Sequence, residues 1–172
     1  MPPRDSTFSP GYDATVRGLR ELHRLTVAGR LDSPEADAIR DVTDAPWEAL
    51  TEVEKKRIAG LSEDLYSMTD PPREPIEEVE DRFLDVIAEI LYPSRGHAPD
   101  GLLEQLRRWK DELDPALLSY LRGQIWLRTG DLATAALFFK HAFELRPGNK
   151  EYFIWYQVTR KAESRERVAA LP

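Results

Sequence analysis

Apolar residues recur at intervals of three and four along most of this chain. From Asp13 to Ala28, the positions Val16, Leu19, Leu22, Leu25 and Val27 follow that spacing, and Gly29 supplies a C-terminal cap. Ser33-Pro34-Glu35 sets an N-cap, a first-turn proline and an acid at the positive helix end. A short helix to about Thr43 follows, with Ala36, Ala38, Ile39 and Val42 inward. After a turn at Asp44-Ala45-Pro46-Trp47, the run Thr51-Glu52-Val53-Glu54 has the form of a capping box. It predicts a helix to Met68 with an inner face of Val53, Ile58, Leu61, Leu65 and Tyr66, closed at its base by Trp47 and Leu50. Gly60 weakens that helix by about 1 kcal/mol relative to alanine.

The segment Thr69 to Pro75 holds three prolines in five residues and cannot continue a helix. The main internal boundary is therefore expected there. Beyond it a helix is predicted from Ile76 to Leu91, striped by Val79, Phe83, Val86, Ile87, Ile90 and Leu91. A loop from Tyr92 to Pro99 and a helix from Asp100 to Leu113, carrying Leu102, Leu103, Leu106 and Trp109, come next. No segment alternates with the period of two that a strand requires. The expectation is an all-α fold of antiparallel helical hairpins. Its divisions are a flexible lead-in at 1–11, an N-terminal helical region at 12–69, a linker at 70–75, a second helical region at 76–165 and a tail at 166–172.

The stretch Asp114 to Asn149 is more specific. Two helical patterns flank a tight Thr129-Gly130-Asp131 turn, with Gly123, Trp126, Ala135, Phe139, Ala142 and Pro147 at fixed offsets. This resembles the tetratricopeptide repeat, a helix-turn-helix unit of 34 residues. In that family Gly123 and the two alanines stand where small side chains let helices meet closely, and Trp126 and Phe139 where aromatic rings fill the seam. Gly130 stands at the inter-helix turn and Pro147 at the close of the unit. Ser119 and Arg122 depart from the pattern, which prefers a large aromatic and a leucine. Lys150 to Arg165 would be a helix capping the repeat, and the pair before it a degenerate relative.

Composition narrows the chemistry. With 172 residues, 41% hydrophobic and 32% charged, the chain can bury a core without staples, and it has no cysteine for disulfides or thiolate metal sites. A net charge of −7 disfavours nucleic acid, and Arg107, Arg108, Lys110 and the group Arg160, Lys161, Arg165 and Arg167 read as solvating and dipole-matched. Neither a signal peptide nor a membrane span is expected, so the cytoplasm is the default. His23, His97 and His141 are scattered, and the acids Glu77, Glu78, Glu80, Asp81, Asp85 and Glu89 lack the glycine and spacing of a calcium loop. No catalytic residue, metal or cofactor is expected.

The aromatic set Tyr120, Trp126, Tyr152, Phe153, Trp155 and Tyr156 points elsewhere. In tetratricopeptide proteins the first helix of each repeat lines a concave groove for a peptide or partner helix. By that resemblance Leu117, Tyr120, Gln124, Leu127 and Arg128 would line such a groove, joined by Glu151, Ile154 and Val158. The family's carboxylate clamp is not supported, because Tyr120 and Gln124 occupy two of its positions. The implied function is protein–protein interaction, as adaptor or assembly subunit. The alternatives are a closed bundle with a structural or self-association role, and a small-molecule-binding or enzymatic domain.

Overall fold

Ser9 decides where the first helix begins. Its hydroxyl accepts from the Tyr12 N–H at 3.2 Å, so α1 spans Pro10–Val27 and starts three residues before the apolar spacing suggests. The computed structural model describes residues 8–44 and 46–169, except for the side chains of 163 and 166–169. The expected lead-in over 1–7, the turn residue Ala45 and the tail residues 170–172 lie outside them. The protein is all-helical, with no strand among the described residues. Among the described residues no helix is long and apolar enough to cross a membrane. The chain divides into two compact units, Met1–Pro71 and Pro72–Pro172.

In the first unit α1 packs against α2 (Pro34–Asp44) and α3 (Glu52–Ser67), with a 3₁₀ turn at Trp47–Ala49 between them. The crossing of α1 and α2 is close: a Cβ at Gly18 would stand 2.0 Å from Thr43 Cγ2. Val16, Leu25, Ala36, Leu50, Ile58, Leu61 and Leu65 form the core. Glu54 completes the capping box with Thr51 and also accepts the Ser9 N–H at 2.6 Å, joining the starts of α1 and α3. The Ser9 N–H, followed by that of Thr51, holds its carboxyl down to about 2.

The inner face is narrower than the apolar pattern implies. Val27, Val42, Val53 and Tyr66 are exposed, and Trp47 lies on the rim rather than closing the base. A helix on the edge of a small core buries one stripe, here Glu54, Ile58, Leu61 and Leu65 on α3, and apolar residues a quarter-turn away stay in water.

The second unit contains α4 (Asp81–Leu91), α5 (Pro99–Arg108), α6 (Pro115–Arg128), α7 (Leu132–Leu145) and α8 (Lys150–Ala169). The helix expected from Ile76 begins only at Asp81. Residues 71–80 carry no helix and are held by other partners: Ile76 N–H donates to Asp114 Oδ2 at 3.1 Å, and the Arg73 side chain donates through Nη2 to the Leu113 carbonyl at 3.4 Å. Val79 is correspondingly outside the core. Similarly, α5 stops at Arg108 instead of Leu113, because Asp111 and Glu112 oppose the negative end of a helix and the chain must turn into the Asp114 cap. At the other end α8 runs four residues past the expected Arg165. The Phe83 and Trp109 rings meet at 4.8 Å, and both α4 and α5 pack on α6.

Candidate partner-binding face

The site rests on the α6–α7 hairpin. Asp114 caps α6 by accepting the N–H groups of Ala116 and Leu117, while its other oxygen takes Ile76 N–H and, at 2.8 Å, Arg146 Nη2. One carboxylate thus ties the start of α6, the extended segment before α4 and the end of α7. Gly130 turns the chain with φ +80°, and Asp131 caps α7 through Thr134 N–H. Along the seam, a Cβ at Gly123 would stand 2.7 Å from Phe139 Cε1, so only glycine lets that ring lie flat against α6. Trp126, Ala135, Phe139 and Ala142 are buried beside it, while Gly130 is half-buried and Pro147 exposed. The two departures, Ser119 and Arg122, are also buried.

Ser119 Oγ lies 2.7 Å from His141 Nδ1 across the hairpin. A hydroxyl beside an imidazole is the pairing of a nucleophile and its base. Yet Ser119 is only 2% exposed, so no acyl group reaches it while α6 and α7 stay together. The pair links the two helices where the repeat pattern would put an aromatic ring. Among the described residues no group of three His, Asp or Glu side chains is placed to hold a metal.

α8 packs mainly on α7, and its first turn reaches α6 through side chains. The Tyr120 ring stacks on Tyr152 at 4.8 Å and approaches Phe139 at 5.8 Å, and its hydroxyl donates to Glu151. Burial first, then the Glu151 carboxylate, raise the Tyr120 phenol well above its usual range; burial pushes Tyr152 up to about 12. Tyr120, expected as an open groove residue, is therefore buried as the floor between α6 and α8.

The Glu151 contact also orients α8. Glu151 meets Tyr120 of α6, whereas Phe153 and Tyr156 meet Phe143 of α7 at 5.3 and 6.1 Å, and Ile154 and Val158 follow Glu151 along α8 by helical spacing. Ile154 and Val158 are each 57% exposed. Leu117, Gln124 and Leu127 follow Tyr120 around α6 by helical spacing and are half-buried, and Arg128 is exposed with Nη1 3.4 Å from the Glu89 carbonyl. Continuing the α8 stripe by three and four residues adds Lys161 and Arg165, both exposed. Their i, i+3, i+7 spacing from Val158 was the sequence signal for this membership; read as a local charge cluster, they did not show it.

Glu89 at the end of α4 is a second structural carboxylate that the acidic pattern conceals. It is buried and accepts the N–H groups of Ser94 and Arg95 at 3.0–3.2 Å, with His97 Nδ1 at 3.5 Å. Burial acts to raise its pKa, but the N–H groups of Ser94, Arg95 and His97 outweigh it and hold the carboxyl at about 2. Rather than a solvated helix face, Glu89 is the anchor of the loop between α4 and α5.

No protein-family model matches the chain, and comparisons with curated proteins and with solved structures give no significant match.

Proposed function

We propose that this chain is a protein–protein interaction module of the cytoplasm, an adaptor or assembly subunit with a tetratricopeptide-like hairpin. It receives a peptide or partner helix along the face formed by α6 and α8. The observation that carries the reading is the exposure of Ile154 and Val158 on α8, a helix joined to α6, with its half-buried Leu117, Gln124 and Leu127, by the stacked rings of Tyr120 and Tyr152. Fully burying a valine or isoleucine side chain contributes about 1.5–3 kcal/mol, so covering the exposed half of each would add about 1 kcal/mol. The buried floor helps indirectly, because helices already held in place cost little ordering on binding.

Affinity capture with the wild-type chain and with an Ile154→Asp/Val158→Asp double variant tests this. The reading expects a specific set of proteins that the variant loses while its helical circular dichroism is unchanged. An identical set with both proteins would count against the face.

A further inference from the structure

We infer that the partner segment taken by the α6–α8 face is acidic as well as apolar, and that it lies in one direction; this rests on the reading above. The face is electrically polarised. At one end stands the Glu151 carboxylate, engaged by the Tyr120 hydroxyl. Ten and fourteen residues further along α8 stand the exposed cations Lys161 and Arg165. Lys161 and Arg165 have no ion-pair partner among the described residues. Between the ends lie Ile154 and Val158, which offer no polar group.

The placement opposes the rest of the chain. Residues 150–169 carry five cations and three anions within a protein of net charge −7, so α8 is a basic element on an acidic molecule. Such a local inversion of sign attracts an acidic segment and repels a basic one during encounter. Glu151 and Lys161 are ten residues apart on one helix, about 15 Å at 1.5 Å per residue. An extended peptide covers that span with about five residues at roughly 3.3 Å each. The fitting ligand therefore has apolar side chains over Ile154 and Val158 and acidic side chains over Lys161 and Arg165. The cations sit on the flank of α8 and recognise side-chain carboxylates along the segment, so a free chain terminus is not required.

The test is selection from a random peptide display library against the full-length chain, its Lys161→Glu/Arg165→Glu variant and its Ile154→Asp/Val158→Asp variant, followed by binding of the enriched peptides as C-terminal amides. The inference expects apolar–acidic sequences on the wild type, and about a tenfold weaker affinity for them with the charge-reversed variant, the sum of two exposed ion pairs. Raising the salt should shrink that difference. Enriched peptides that lose binding to the aspartate variant but show no acidic preference would overturn the acidic partner and leave the face standing. Failure to enrich any sequence, or light scattering that shows the chain itself occupying the face as a dimer, would overturn both.

Discussion

Gly123 and Phe139 are complementary to the limit of atomic contact: where glycine has a hydrogen, a methyl group would stand 2.7 Å from the edge of the phenylalanine ring. Both are buried, so neither can yield into solvent. Alanine favours a helix over glycine by about 1 kcal/mol, yet Gly123→Ala is expected to destabilise by about 1–3 kcal/mol, because overpacking outweighs propensity. Phe139→Ala alone should cost about 3–5 kcal/mol. In the double variant the new methyl group enters the space the ring left, so urea melts should give a loss smaller than the two singles added. Additive losses would mean that the ring does not set the helix separation.

Asp114 should behave as more than a helix cap. Loss of a capping side chain costs about 0.5–2 kcal/mol, and Asp114 also accepts Ile76 N–H and Arg146. Asp114→Ala is therefore expected at or above the top of that range by chemical denaturation, with Arg146→Ala well below it. Hydrogen exchange should reveal faster exchange at the Ile76 amide in Asp114→Ala but not in Arg146→Ala.

The Glu89 loop makes stability depend on pH in a defined direction. A carboxyl held at about 2 in the fold, against an ordinary value of 4.5, stabilises fully above that ordinary value. Its contribution fades as the pH falls from there toward 2. Denaturation of wild type and Glu89→Gln between pH 7 and pH 2.5 (about one step per unit) should show their largest separation at and above pH 5, and convergence at the acid end. A separation that stays constant across the series would refute the anchoring role.

Tyr120 distinguishes floor from groove. Because its ring is buried between α6 and α8, Tyr120→Ala is expected to destabilise by about 3–5 kcal/mol. Tyr120→Phe keeps the stacking on Tyr152 and loses the hydroxyl's bonds, chiefly that to Glu151, a bond typically worth about 0.5–1.5 kcal/mol net or somewhat more to a charged partner. Thermal melts of the two variants separate these effects. Weakened partner binding in Tyr120→Ala would by itself say little, since the helices around it would loosen.

The all-helical class was legible from periodicity, and the caps at Ser33 and Thr51 were legible from residue type. What escaped were features set across the chain. The start of α4 could not be read locally, since Ile76 N–H answers to Asp114, thirty-eight residues away. Likewise Glu89 looked like one more acid in a charged run until the following loop folded back onto it. Gly18 sat inside a regular helical pattern, and only the crossing with Thr43 gives it a reason. At the candidate face, spacing placed Ile154 and Val158 on one stripe, but whether Tyr120 was open or covered depended on how α8 returned over α6. That return is a property of packing, to which the local pattern is silent.

Titration calorimetry with an isolated partner, comparing the wild type, Ile154→Asp/Val158→Asp and Val53→Asp, addresses the binding face most directly. Val53 is as exposed as the two α8 residues but belongs to the other unit. The expected result is affinity lost in the α8 variant and kept in Val53→Asp. Binding that survives the α8 changes and disappears with Val53→Asp would contradict the account.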